Sequence, residues 1–146
     1  MAGIPSHLQH GPVRLRYDKT VPGDPSKGLV PFHHFKIQLA DGTEIGHINF
    51  RIGDTRHVMM TAGHIGYGIV PEHRGHAYSY HACLAIVPFV RRYYDRVIIT
   101  VDPPNTASIR IIEKIGATFI DRVDVPEDDP AYANGARSKL RYCWVP

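Results

Sequence analysis

The sequence predicts an α+β fold: one domain over residues 1–146, with a central, mostly antiparallel mixed sheet of about six to seven strands flanked by helices. Three observations predict it. Period-two segments ahead of Pro71 are separated by turn signals at Asp41-Gly42 and Gly53-Asp54, which makes successive strands antiparallel neighbours. Two segments of helical period, from about Gly75 to Tyr94 and from Asn105 to Gly116, each follow a strand. Between them runs Arg96–Val101, nearly all apolar and branched, as suits a central strand covered on both faces.

In chain order, residues 1–12 carry no periodic pattern and are expected as a flexible arm. Val13–Tyr17 alternates, with Val13, Leu15 and Tyr17 on one face. Three prolines and two glycines between Asp18 and Pro31 forbid much regular structure there. Phe32–Leu39 and Thr43–Ile52 read as a hairpin about Asp41-Gly42, and a further strand is expected from about His57 through Ile69. Pro71 ends it, because proline has no N–H to give a ladder. In the first long helix Tyr80, Cys83, Val87, Val90 and Tyr94 recur at helical spacing and predict a buried stripe. Pro88 removes a bond to the Leu84 carbonyl and predicts a kink. Asp102-Pro103-Pro104 ends the central strand, Asn105 is placed to cap the second helix, and Gly116 closes it after Lys114. Phe119–Val125 and Ser138–Val145 are the last strands, joined by a loop from Pro126 to Arg137 that holds Glu127, Asp128 and Asp129.

Bulk properties exclude several function classes. The net charge of +3 is scattered rather than gathered into a Lys/Arg stripe, so no nucleic-acid partner is expected. The same charge suits an anionic small molecule. The longest apolar run, Ala82–Val90, is too short to span a membrane, and Met1–His7 does not read as a signal peptide. Two cysteines, Cys83 and Cys143, at no metal-like spacing point to reduced thiols and a soluble, cytoplasmic protein. Assembly as a homodimer is left open.

The chemistry concentrates in Gly63–Ser79. A strand, a sharp turn at Arg74-Gly75-His76-Ala77 and a helix start at Tyr78-Ser79 make a place for an anion. Unpaired backbone N–H groups and the helix dipole both favour negative charge there. By itself this indicates only a phosphorylated ligand. Val70–Ser79 also resembles the acetyl-CoA pyrophosphate loop of the GNAT superfamily of N-acetyltransferases, Arg/Gln-x-x-Gly-x-Gly/Ala. Arg74 fits its first position, Ala77 stands at the middle Gly and Ser79 at the last. Asn105-Thr-Ala-Ser108-Ile-Arg-Ile-Ile-Glu113-Lys114-Ile-Gly116 is similar to the family's Asn-x-x-Ser-x-x-x-x-Glu-Lys-x-Gly helix, closest to the ribosomal-protein N-terminal acetyltransferase branch.

The resemblance implies a splayed pair of central strands, acetyl-CoA as cosubstrate, and direct attack by an amine with no covalent enzyme intermediate. It implies that the pantetheine arm pairs with Ile69 and Val70. The diphosphate would rest on Arg74, Gly75, His76, Ala77, Tyr78 and Ser79, with Asn105 and Ser108 also at the cofactor. Most family members have two helices before the second strand, and here the interval is too short for them. The family's base position falls at His64, a residue type that can take a proton directly or through water; its plainer reading is a solvent-facing histidine. The family's acidic Tyr aligns with Ile112, which donates nothing, whereas Ser108 matches the acid of the ribosomal branch. Tyr132, in the loop that often borders the acceptor, is a second acid candidate. The acidic trio Glu127-Asp128-Asp129 either attracts a cationic amine or is simply solvated.

Two rival readings remain. The missing Tyr and the shortened N-terminal interval fit a catalytically silent acyl-CoA-binding or regulatory module. His73, His76 and His81, with His33-His34, fit a His-rich metal protein, although no cysteine joins them. The expected reading is an N-acetyltransferase without a metal.

Overall fold

The computed structural model describes residues 3–146. Within them the chain forms β1 (Gln9–His10), β2 (Val13–Val21), β3 (Phe32–Leu39), β4 (Glu44–Arg51), β5 (Ile65–Ile69), α1 (Tyr78–Val90), β6 (Val97–Val101), α2 (Thr106–Lys114), β7 (Thr118–Asp124), α3 (Pro130–Ala133) and β8 (Ser138–Trp144). The α+β class holds. Hydrogen bonding divides the strands into two antiparallel sheets, ordered β1-β2-β3-β4-β5 and β6-β8-β7.

The core forms where alternation meets a helix. Phe35 and Ile37 of β3, Ile48 and Phe50 of β4, and Ile86 and Phe89 of α1 are all fully buried. The Phe89 ring meets Phe50 and Phe35 edge-on, with centroids 5.5 and 5.9 Å away. Full burial of one such side chain stabilises the fold by about 1.5–3 kcal/mol. Ile45 would face outward in strict alternation with Ile48 and Phe50. A register shift between Ile37 and Gln38 leaves Ile45 as an extra residue and turns it into the core.

Four expectations need correction. The segment 1–12 is not a loose arm from Leu8 onward, because Leu8 is buried, its carbonyl accepts the Leu15 N–H at 2.9 Å, and β1 pairs with β2. Met1 and Ala2 lie outside the described residues. The interval 18–31 begins as strand, since β2 runs on to Val21 past a bulge at Asp18. Only a 3₁₀ turn, Pro25–Lys27 capped by Asp24, stands where the family's two helices are usual. The strand expected from His57 is instead a π-helical turn, Val58–Ala62, closed by Gly63 N–H to the Val58 carbonyl at 2.7 Å. Gly63 has φ +72° and passes so near β6 that a Cβ would stand 2.9 Å from the Ile98 carbonyl oxygen. Finally, the buried face of α1 is Ala82, Cys83, Ala85, Ile86, Phe89 and Val90, wider than the expected stripe, because α1 packs across β1, β2 and β5 at once. Tyr80, Val87 and Tyr94 are only partly buried at its margin, and Pro88 lies on the exposed side.

Among the described residues, the hydrogen bonds that join the two sheets directly are made by His64, just ahead of β5. His64 N–H donates to the Ile98 carbonyl at 2.7 Å, and its ring Nδ1 accepts the Ile98 N–H at 2.9 Å. A backbone N–H has only a proton to give, so Nδ1 is the unprotonated nitrogen. Nε2–H then donates to Asp54 Oδ1 at 2.9 Å. Beyond this clasp β5 pairs only with β4, and β6 only with β8. The gap that opens between them is the site.

Candidate active site

Two cavities meet in that gap. One, of about 460 Å³, is lined by Tyr67, Gly68, Ile69, Arg74, Gly75 and Ser79 on one side and by Asn105, Ser108 and Ile111 on the other. The second, of about 390 Å³, is lined by Arg51, His57, Gly66, Tyr67, Asp102, Ser108, Ala131 and Lys139, among others. Tyr67, Asn105 and Ser108 belong to both. Where the two join, the Tyr67 hydroxyl and Ser108 Oγ are 2.7 Å apart.

The first cavity has an anion-binding rim. Gly75 and Ala77 are left-handed (φ 89° and 58°), which turns the chain sharply and delays α1 until Tyr78. The N-cap residue, Ala77, has no side chain to cap this helix, and the first main-chain bond is His81 N–H to Ala77 O at 3.3 Å. Among the described residues, the N–H groups from Gly75 to Tyr80 are therefore left without protein acceptors, at the positive end of a helix. Arg74 braces the turn by donating Nε–H to the Ile69 carbonyl at 2.9 Å. Pyrophosphate fits this donor set, and Gly75 has no neighbour within 4 Å of where a Cβ would stand. His76 is exposed beside the Tyr78 ring.

The free edge of β5 differs from the expectation. Val70 N–H donates to Ile45 O at 2.9 Å and Val70 O accepts from His73 N–H at 3.0 Å, so the only donor of Val70 is used and its carbonyl is already engaged. Val70 N–H to Ile45 O and Arg51 N–H to His64 O fix the parity of the β4–β5 ladder. The main-chain groups of Tyr67 and Ile69 are therefore on the edge facing the gap. Tyr67 and Ile69, rather than Ile69 and Val70, are the pair available to an extended ligand, with Ile69 O already engaged by Arg74.

Asn105 is the helix cap that its position predicted, with Oδ1 accepting the Ser108 N–H at 3.1 Å. Ile112, the position of the family's Tyr, is fully buried in the core. The hydroxyl near Ser108 comes instead from Tyr67 on the facing strand. Burial, with Cys83 close by, holds the Tyr67 phenol well above its ordinary titration range. Cys83 is fully buried and its thiol is pushed up to about 12 by the same desolvation.

His64 and Tyr132 are not at the cavity walls. The His64 ring is buried with each nitrogen engaged, as described above. The Tyr132 ring is covered by the Arg137 guanidinium at 3.7 Å. A histidine that sequence reasoning passed over does line the second cavity. His57 Nδ1 lies 2.7 Å from Asp129 Oδ2, with side chains only 14% and 8% exposed, and among the described residues Nε2 has no hydrogen-bond partner. The acidic trio thus divides: Asp129 turns inward to His57 and caps α3, while Glu127 and Asp128 are exposed. The histidines of the metal reading are dispersed. His81 pairs with His10 at 2.9 Å and His33 with Thr20 at 2.7 Å, and among the described residues no three candidate ligands converge. No helix among them is long and apolar enough to cross a membrane.

Comparison with known proteins agrees with this geometry. A family model described as an acetyltransferase (GNAT) domain matches residues 7–118. A comparison with curated proteins finds no match. Among solved structures, the chain is similar to a GNAT-family acetyltransferase from Bacillus anthracis, at 22% identity over 77% of this chain and 65% of that one, with TM-score 0.58. It is similar to RimJ of Mycobacterium smegmatis in complex with CoA-disulfide, at 20% identity over 77% and 52%, with TM-score 0.60. It also resembles RimL, the ribosomal L7/L12 alpha-N-protein acetyltransferase, in complex with coenzyme A, at 16% identity over 78% and 62%, with TM-score 0.58. The match therefore spans between 52% and 65% of these proteins' own length, and at such identities the likeness is one of fold. With residues 7–118 inside the family model and the gap between β5 and β6 built as described, the chain belongs to the GNAT acetyltransferase family.

Proposed function

We propose that the chain is an acetyl-CoA-dependent N-acetyltransferase that moves an acetyl group to a primary amine by direct attack in a ternary complex. The observation that carries this reading is the Tyr67–Ser108 hydrogen bond, 2.7 Å long, where the two cavities join. Acetyl-CoA, when bound, supplies an activated thioester. Everything else falls to this chain's residues. The N–H groups of Gly75 to Tyr80 hold the diphosphate, and the Tyr67 and Ile69 main chain guides the extended arm toward Ser108.

Acyl transfer needs a neutral amine at one end and a proton for the leaving sulfur at the other. Tyr67 keeps its proton and donates to Ser108 Oγ, which leaves the Ser108 O–H free to face the sulfur. On the other side, Asp129 holds Nδ1–H of His57, so that Nε2 is the unprotonated nitrogen available to an amine in the second cavity. At the end of the step His57 holds the amine's proton and Ser108 has given one to the sulfur; His57 then releases its proton to solvent and Ser108 takes one back from solvent, which restores both residues for the next turnover. His64, in this reading, is a positioning residue that fixes where the strands part.

The second reading, a silent acyl-CoA-binding module, is favoured by Ile112, an apolar residue at the family's Tyr position. Calorimetry with acetyl-CoA, followed by thiol release with a panel of amines, separates the two. The enzyme reading expects binding and turnover with at least one amine. Binding without release on any amine favours the silent module, and no heat with acetyl-CoA removes both.

A further inference from the structure

The acceptor-side cavity carries one cation without a counter-charge. Arg51 ends β4, and its Nη1 donates to the carbonyls of Ala62 and Gly63, each at 3.3 Å. Those are long bonds, shared by one nitrogen. Among the described residues neither Nε nor Nη2 has a protein acceptor, and no carboxylate lies within 4 Å of the guanidinium. The plane is held from two directions. Phe32 covers it, with Cζ 5.9 Å from the ring centroid, and Gly66 lies beneath it, where a Cβ would stand 3.2 Å from Nη1. The lysine that lines the same cavity is paired, Lys139 with Asp102 at 2.7 Å. Burial alone lowers the basicity of Arg51, so its charge is partly desolvated and uncompensated.

A cation in that state costs free energy unless an anion meets it, and the cost recurs whenever the cavity empties. The open Nε–Nη2 edge is a two-donor fork whose spacing matches the oxygens of a carboxylate. Nη1 is pinned to the loop before β5, so the fork is oriented before any ligand arrives. The cavity that it lines extends to Ser108 and Tyr67 and holds about 390 Å³, the scale of a small metabolite rather than a protein segment.

We propose that the acceptor amine carries a carboxylate, which Arg51 binds through Nε and Nη2 while the amine reaches the Tyr67–Ser108 end of the same cavity. The substrate class is thus a small amino acid. This rests on the acetyl-transfer reading above, and it specifies what that reading leaves open.

The test compares amino acids with their own carboxamides as acceptors, by coenzyme A release from acetyl-CoA, on the full chain. Each pair keeps the amine and the side chain and removes only the anionic charge. An amide's amine is the less basic of the two, so intrinsic reactivity at neutral pH favours the amide. The proposal expects the opposite: in the wild type, kcat/KM is at least about tenfold higher for the carboxylate member of the best pair. Arg51→Gln then removes the difference by slowing the carboxylate member alone, and Arg51→Lys keeps part of it. Equal rates within pairs, or a carboxylate preference that survives in R51Q, overturn the proposal. So does binding of acetyl-CoA with transfer to no member of the panel, which leaves the coenzyme site standing. Failure to bind acetyl-CoA removes the underlying reading instead. The wild-type comparison decides the matter even if R51Q does not fold.

Discussion

Ser108 does two jobs with different atoms: its N–H closes the Asn105 cap and its Oγ meets the Tyr67 hydroxyl. Removing the hydroxyl leaves the cap in place, so Ser108→Ala is expected to lower kcat by about 10²-fold with acetyl-CoA affinity unchanged by calorimetry. Tyr67→Phe removes the group that orients Ser108 rather than the donor itself, and a loss of about tenfold is expected. Because burial keeps the Tyr67 phenol protonated across the working range, Y67F should shift the height of the pH–rate profile and not its shape. His57→Gln and Asp129→Asn test the other end of the proton path. Each is expected to cost about 10²-fold or more in kcat, the second because without the Asp129 carboxylate the ring proton can sit on the nitrogen that must accept one. The placement of Ser108 and Asn105 was legible because they sit in one nine-residue helix and its cap, while their roles at the coenzyme belong to the proposal. Tyr67 was not, since its partner is 41 residues away, and the His57–Asp129 pair spans 72. His64 misled for a related reason. A histidine at a strand's entry reads as a base until the second strand arrives and takes its ring nitrogen for a backbone N–H.

At the scale of elements, the turn between β5 and α1 is the costly one. Ala77 at φ 58° occupies a conformation that disfavours any Cβ by roughly 1 kcal/mol, and it stands where the family places glycine. Ala77→Gly is accordingly expected to raise Tm by a few degrees in a thermal melt and to leave acetyl-CoA binding intact. Gly75→Ala is expected to do the reverse, costing about 1–2 kcal/mol, because φ 89° is closed to alanine even though the space around it is open. Strand and helix cores were readable from periodicity: β3 falls on Phe32–Leu39, as alternation and the Asp41-Gly42 turn require. Two stretches were not. The π-helical turn at Val58–Ala62 carries the same apolar density as a strand, and only the close approach of Gly63 to Ile98 decides against extension. The Leu8 arm lacks periodicity, and its order comes from one buried side chain and a backbone bond to Leu15.

For the whole molecule, Phe89 ties α1 to the larger sheet through Phe35 and Phe50, and Phe89→Ala is expected to cost about 3–5 kcal/mol by chemical denaturation. Acid is the general weakness. Burial depresses the imidazoles of His33, His47 and His81 below their ordinary 6.5, with His34 adding to the effect on His47 and His10 to that on His81. The unfolded chain takes up these protons first. Stability from the neutral rings is thus complete above the ordinary value and is lost as pH falls below it. Tm should decline between about pH 7 and pH 5, and less steeply in His47→Gln. The fold class was legible at this scale because turn signals and helix periods order the elements; the family resemblance implied a splayed strand pair within one sheet, and the separation into two sheets was not foreseen. The measurement that bears most directly on the account is a crystal structure of the chain with coenzyme A. It should place the diphosphate on the N–H groups of Gly75 to Tyr80 and the sulfur within hydrogen-bond reach of Ser108 Oγ. A coenzyme bound elsewhere, or a sulfur directed away from Ser108, would contradict it.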